Sequence, residues 1–318
     1  MSREILGIHH ITAIAEDPQT NIDFYTGLLG LRLVKVTVNF DDPGTYHLYY
    51  GDTQGHPGTI LTFFAWPGAR RGRRGNGQVT STSFAVPPNS MPFWFDRFAA
   101  NKIRFEPSIQ RFGNSRVSFF DPDGMQLELI ETAAADPAYA STKADVPIEC
   151  AICGFHSTTL SETGYQRTVA LLTETMGFHL VGQEQNRFRY AQNGDGPGKI
   201  VDVVCAPGSV EGRVAVGTVH HIAWRTVTDN QQREWLAELN GLGYNLSPVM
   251  DRIYFHSIYY REPGGILFEI ATDAPGFTID EPQESLGNTL KLPPWLEPYR
   301  SRIEAALPSI DRRTSGVS

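Results

Sequence analysis

The chain has 318 residues, 41% of them hydrophobic and 19% charged, so it can bury a large core and is not a disordered polymer. A net charge of −8 and a pI near 5.6 argue against a nucleic-acid or anionic-membrane surface, and no stretch approaches the roughly twenty apolar residues of a membrane helix. Three cysteines are too few for a disulfide framework, and MSREILGIHH has no apolar signal core, so a reducing cytoplasm is the expected compartment.

Along the chain, GIHHITAIAED alternates like a strand and leads into a helical stretch, PQTNIDFYTGLLGLRLV. That stretch puts Phe24, Leu28 and Leu29 on one face and stops at Gly30. TYHLYYGD and GTILTFFAWP follow as strands. A fainter copy of this order runs from QVTSTSFAVPP through MPFWFDRFAANKIRF to RVSFFDPDGMQLELIET. The small, polar segment Ala133 to Val146 reads as a linker. Cys150 and Cys153 lack the second pair that a zinc ribbon needs and are expected to be structural.

A third copy runs from CGFHSTTLSE through TVALLTETMGFHLV to GPGKIVDVVCAP. The fourth is clear again: GTVHHIAWRTVTD, then NQQREWLAELNGLGYNL with Gly243 where Gly30 stood, then RIYFHSIYYREPGGILFEIATD. Beyond Asp273 a Pro-rich stretch and the amphipathic SRIEAAL read as a wrap. The expectation is an α+β fold of four βαβββ modules: one pair in 1–135, a second pair in 147–275, and a C-terminal extension in 276–318.

Two positions of the repeat carry chemistry, one on its first strand and one on its last. They hold His10 and Phe63 in the first module, Ser81 and Glu128 in the second, His156 and Val203 in the third, and His221 and Glu269 in the fourth. If the strands curl into half-barrels, these side chains converge. Two imidazoles and one carboxylate then form the facial triad of a non-haem Fe(II) site, with positions left open for substrate and dioxygen. An ionised Glu269 inside GGILFEI needs a compensating charge, which a metal supplies. Spacing leaves open whether His10 or His156 joins His221 and Glu269.

The segments GIHHITAIAEDPQTNIDFYTGLLGLRLVKVTVNFDDPGTYHLYYGD, VHHIAWR and REPGGILFEIATD resemble the glyoxalase/extradiol superfamily, whose fold is the vicinal-oxygen-chelate arrangement of two cup-shaped half-barrels. More narrowly they resemble the ring-cleaving dioxygenases acting on hydroquinones. The resemblance implies Fe(II), with Mn(II) or Zn(II) as alternatives, O2, and a small para-dihydroxy aromatic substrate opened by an extradiol-type dioxygenase. By the same resemblance His10, His221 and Glu269 match the metal ligands, which favours the pairing of the first module with the fourth. His9, Thr12, His220, Arg252 and Tyr259 match the catalytic and substrate-contacting positions. A second copy of the chain is a candidate partner. Against regular strand geometry, His9 and His10 point to opposite faces, as do His220 and His221, unless a bulge turns both inward. The same fold also serves glyoxalase- or epimerase-type lyases and isomerases, which fill the site with a further carboxylate where Phe63 is expected, and non-catalytic bleomycin-resistance-like binders.

Overall fold

In the computed structural model, which describes residues 3–141, 145–194 and 196–312, each module has the expected order of strand, helix and three strands. The first comprises β1 (Ile8–Ala15), α1 (Pro18–Ile22), β2 (Arg32–Asn39), β3 (Asp42–Gly51) and β4 (Ile60–Ala65). The second comprises β5 (Gln78–Val86), α2 (Met91–Ala100), β6 (Ile109–Arg111), β7 (Asn114–Phe120) and β8 (Gln126–Glu131). The third has β9 (Phe155–Glu162), α3 (Gln166–Ala170), β10 (His179–Glu184), β11 (Arg187–Ala191) and β12 (Ile200–Cys205). The fourth has β13 (Val219–Thr226), α4 (Asp229–Gly241), β14 (Met250–Asp251), β15 (Phe255–Arg261) and β16 (Leu267–Pro275).

Helix α1 is short because it widens into a π-helical turn over Asp23–Leu28, and α3 does the same over Leu171–Thr175. At matching places a threonine hydroxyl bonds back to the carbonyl four residues earlier, Thr26 to Ile22 and Thr173 to Val169, a contact that bends helices. Gly30 then takes φ 73 and Gly177 φ 81, so the chain turns out of the helix in the left-handed region that a side chain resists.

The modules pair crosswise. One eight-stranded sheet runs β14-β15-β16-β13-β1-β4-β3-β2, joining the first module to the fourth, and the other runs β10-β11-β12-β9-β5-β8-β7-β6, joining the second to the third. Each curled sheet thus draws on both halves of the sequence. Apolar residues fill the space between sheets and helices; Trp224, for example, is fully buried with Phe178 and Phe268 at 5.3 Å on either side. Cys150 and Cys153 are free thiols, and burial pushes the Cys153 thiol up to about 11, in keeping with a packing role.

After β16 the chain folds back over the edge strand β2. Lys291 N–H donates to the Val36 carbonyl and the Thr37 hydroxyl to the Lys291 carbonyl, which covers an otherwise open edge. The buried Lys35 ammonium fastens this wrap through Glu281 at 2.6 Å and Asp280 at 2.5 Å. SRIEAAL lies in α5 (Arg300–Ala306), with Ile303 buried. Part of the expected linker, 142–144, and the last residues, 313–318, lie outside the described residues.

Pairing registers correct part of the sequence comparison. Glu269 faces Ala223, two residues after His221, and Glu128 faces Ser83, two after Ser81. By the same offset the first module places Thr62 opposite Thr12, so Thr62 and not Phe63 is the counterpart of Glu269. Across the seams Thr12 pairs with His221 and Thr159 with Ser81, so Ser157 matches His10 and Asp202 matches Glu269. His156 and Val203 were one residue out of register, which in a strand means the opposite face.

Candidate metal centre

The seam between β1 and β13 resolves the histidine doublets. Ile8 pairs with Trp224 and His10 with Ala223, leaving His9 as an extra residue; Thr12 pairs with His221 and Ala13 with Val219, leaving His220 as an extra residue. Each doublet therefore sits on a β-bulge, and the bulge turns neighbouring side chains toward each other. The Nδ1 atoms of His9 and His10 are 2.9 Å apart, and those of His220 and His221 are 2.8 Å apart. The other sheet repeats both bulges, at Thr80 and His156, but neither carries a pair of imidazoles: Ser81 follows the one and Ser157 the other.

Hydrogen positions at His10 follow from its neighbour. His9 Nε2 lies 3.1 Å from the Thr272 carbonyl, which can only accept, so that nitrogen carries the proton. Burial and the adjacent His10 lower the His9 pKa to about 3, so the ring is neutral and its Nδ1 is a bare acceptor. His10 must then donate from Nδ1, which leaves the lone pair of its Nε2 free. Burial likewise keeps His221 below its ordinary value and lowers His220 to about 3.

Glu269 stands between the two Nε2 atoms. Its Oε2 is 3.3 Å from His10 Nε2 and 2.9 Å from His221 Nε2, while its Oε1 accepts from the Ser257 hydroxyl. His221 Nε2 and Glu269 Oε2 are both buried and find no hydrogen-bond partner among the described residues. The three ligand atoms lie within 4.8 Å of one another. Ligands about 2.1 Å from one ion and at right angles to each other are about 3 Å apart, so this set fits a divalent metal. A cation also removes the cost of burying the His10 lone pair against a carboxylate.

Of the residues anticipated from sequence, His10, Thr12, His220, His221, Arg252 and Tyr259 line one cavity of about 270 Å³, and His9 and Glu269 stand outside its lining. The Tyr259 oxygen accepts from Arg252 Nε at 3.2 Å, and Asp41 holds the same guanidinium at 3.1 Å. Burial and Glu269 raise the Tyr259 phenol, so it stays protonated; Arg252 stays charged despite burial, held by Tyr259 and Asp41. Next to Arg252, Ile253 adopts φ 69, a conformation costly for a β-branched residue, with its N–H tied to Asp251 at 2.7 Å.

Sequence reading missed the far wall: His47 and Tyr49 of β3, and the apolar faces of Phe40, Phe64, Trp66 and Phe255. A 150 Å³ apolar cavity already accepts benzene, so the space suits one substituted aromatic ring.

The Glyoxalase/Bleomycin resistance protein/Dioxygenase superfamily model matches residues 7–129 and 154–270. The chain belongs to that superfamily. It is 48% identical over 96% of its length, and 97% of the relative's, to "Putative ring-cleaving dioxygenase MhqO" of Bacillus subtilis (strain 168). It is 33% identical to the "Chlorohydroquinone/hydroquinone 1,2-dioxygenase" of Sphingobium indicum, covering 95% of this chain and 96% of the other. Among solved structures, a "putative dioxygenase" of Bacillus subtilis superposes with a TM-score of 0.93 at 47% identity, over 98% of this chain and 99% of that one. Among the described residues, only the cup built from the first and fourth modules holds a complete ligand set. The other cup has Ser81, Glu128, Ser157 and Asp202 at the matching positions, and its two carboxylates are held by Arg111 and Arg116, and by Arg187 and Arg189.

Proposed function

We propose that the protein is an Fe(II)-dependent, extradiol-type ring-cleaving dioxygenase that opens hydroquinone-type aromatics with O2. The observation that carries this reading is the convergence of His10 Nε2, His221 Nε2 and Glu269 Oε2 beside an aromatic-walled cavity sized for one ring. The names of the full-length relatives support it. The register supports it as well, because Thr62 stands where lyases and isomerases of this fold need a further carboxylate. Iron held by His10, His221 and Glu269 would supply the path for electrons between an aromatic ring and dioxygen.

The protein's own groups bind and orient the substrate. A catechol can hold the metal with two adjacent oxygens, whereas a hydroquinone offers one, so its distant hydroxyl must be held by side chains. Arg252 and the Tyr259 hydroxyl are charged and protonated donors suited to that task, and His220 adds a neutral imidazole on the wall. Losing one such contact costs about 1–3 kcal/mol, or roughly tenfold in kcat/KM. Arg252→Ala and Tyr259→Phe are therefore expected to slow hydroquinone turnover with bound iron unchanged. Steady-state O2 uptake with hydroquinone, methylhydroquinone and catechol tests the substrate assignment, and catechol turned over as efficiently as either hydroquinone would defeat it.

His9 serves the metal through His10. His9→Ala removes the acceptor that fixes the His10 ring, and iron affinity is expected to fall roughly 10–100-fold, as for other outer partners of ligating histidines. Competitive chelator titration measures it; an unchanged affinity would remove His9 from the site.

A further inference from the structure

The far wall of the cavity carries a chain of hydrogen bonds with a single consistent direction. The Tyr49 hydroxyl lies 2.9 Å from His47 Nδ1, His47 Nε2 lies 2.9 Å from the Thr62 hydroxyl, and Thr62 lies 2.9 Å from the Thr12 hydroxyl. His47 is packed between the rings of Tyr49 and Phe64 at 4.1 and 4.4 Å, which fixes its plane.

Consider both ways of placing the protons. If Thr12 donates toward Thr62, then Thr62 donates to His47, and His47 Nδ1–H donates to the Tyr49 oxygen. The Tyr49 hydroxyl would then serve only as an acceptor, with no described residue to take its own proton. In the reverse order Tyr49 O–H donates to His47 Nδ1, His47 Nε2–H to Thr62, and Thr62 O–H to Thr12, which uses the phenol as the strong donor and weak acceptor that it is. The Thr12 proton is left over, and Thr12 lines the cavity directly across the strand pair from His221. The order requires a neutral imidazole, and burial together with His10 holds His47 well below its ordinary value.

We propose that Tyr49, His47 and Thr62 are positioning residues that commit the Thr12 hydroxyl to donate into the cavity, so that the site selects a substrate oxygen in its deprotonated, accepting form. This rests on the reading of the cavity as a phenol-binding site beside a metal. A hydroxyl that could turn either way would accept a phenol proton as readily as stabilise a phenolate; Thr12, with one lone pair filled by Thr62 and its own proton aimed into the cavity, favours the phenolate. Thr62 therefore stands at the Glu269-equivalent position for a reason of its own. A carboxylate there would only accept and would break the chain. Tyr49 is the end that sets the direction, because a phenol is a strong donor and a weak acceptor.

The test combines a binding readout with a double-mutant cycle. The Zn(II)-loaded protein is titrated with pH in the presence of 4-nitrophenol, and the pKa of the bound phenol is read from its phenolate absorbance. In wild type it should lie below that of the free phenol. Tyr49→Phe should raise it and weaken phenolate binding about tenfold, as expected for one lost hydrogen bond in a buried site. Thr62→Val should do the same, and Thr62→Ser should restore the wild-type value. In a Thr12→Val background Tyr49→Phe should have no further effect, since the proton it directs is gone. Equal effects of Tyr49→Phe with and without Thr12, or none at all, would overturn the proposal. Failure of wild type to take up O2 with hydroquinone would sink the dioxygenase reading alone, because the nitrophenol titration still decides the direction of the chain.

Discussion

Protein carrying Glu269→Gln or His10→Ala will lose its divalent metal, while His156→Ala will keep it. Glu269 supplies the only negative charge among the three ligands, and its Oε2 is the atom both imidazole Nε2 atoms face. Gln has the same shape but cannot balance a dication, so the loss should exceed the roughly 10–100-fold seen when an outer partner of a ligand is removed. His10→Ala deletes one nitrogen of the set outright. His156 lies in the other cup, with its Nδ1 against the Ser157 hydroxyl and burial lowering it to about 4. It corresponds to His9, and its neighbour Ser157 is no metal ligand. Metal content by elemental analysis after dialysis decides between the pairings. Retention of iron by His10→Ala, with loss from His156→Ala, would mean that the wrong cup has been assigned.

The second large effect is on stability, and it comes from the cup that has no metal set. Glu128 is fully buried, with Arg111 at 2.7 Å on one oxygen and Arg116 at 2.8 Å on the other, and the Ser83 hydroxyl adds a bond. Where the first cup would balance its carboxylate with a metal ion, this cup uses its own guanidinium groups. Glu128→Ala would leave Arg111 and Arg116 without their ion-pair partner, beside Arg187 and Arg189, which Asp202 holds. Breaking a buried charge pair from one side typically costs about 3–5 kcal/mol, and a loss of that order is expected in denaturant unfolding, with iron binding by the folded fraction preserved. A loss below about 1 kcal/mol would show that these arginines already reach water. Burial alone would raise the Glu128 carboxyl, but Arg111 and Arg116 hold it below its ordinary value. Its contribution to stability is therefore present above the unfolded carboxylate value, about 4.3, and is lost as pH falls from there toward the lower folded value.

Much of this was legible in the residues because the metal-bearing modules repeat loudly. Two HHI doublets, each followed by a helix and a left-handed glycine, and one glutamate in an apolar strand after a Gly-Gly turn, are hard to produce except by duplication of a site. The inner modules were legible as elements, but only the second, with Ser81 and Glu128, was read in register. At their matching positions stand Ser157, Ser81 and Asp202, small or ordinary strand residues, and in the first module Thr62; the more conspicuous His156 drew the alignment one residue aside. Nothing in a sequence announces a bulge, so the doublets could be read as a tension between opposite faces but not resolved. The resolution lies in the seam between β1 and β13, a contact between residues more than two hundred positions apart. His47 escaped for a different reason. A single histidine within TYHLYYGD looks like any ring on a packed strand, and its role appears only when β4 brings Thr62 against it and β1 brings Thr12 against Thr62.

The most direct test of the central claim is anaerobic reconstitution of the purified protein with Fe(II), Mn(II) or Zn(II), followed by O2-electrode measurements with hydroquinone. Oxygen uptake should appear in proportion to bound iron, vanish in Glu269→Gln, and yield a product heavier than the substrate by both atoms of dioxygen. Iron-loaded protein that leaves both O2 and hydroquinone untouched, or that isomerises a glutathione hemithioacetal without O2 uptake, would contradict it.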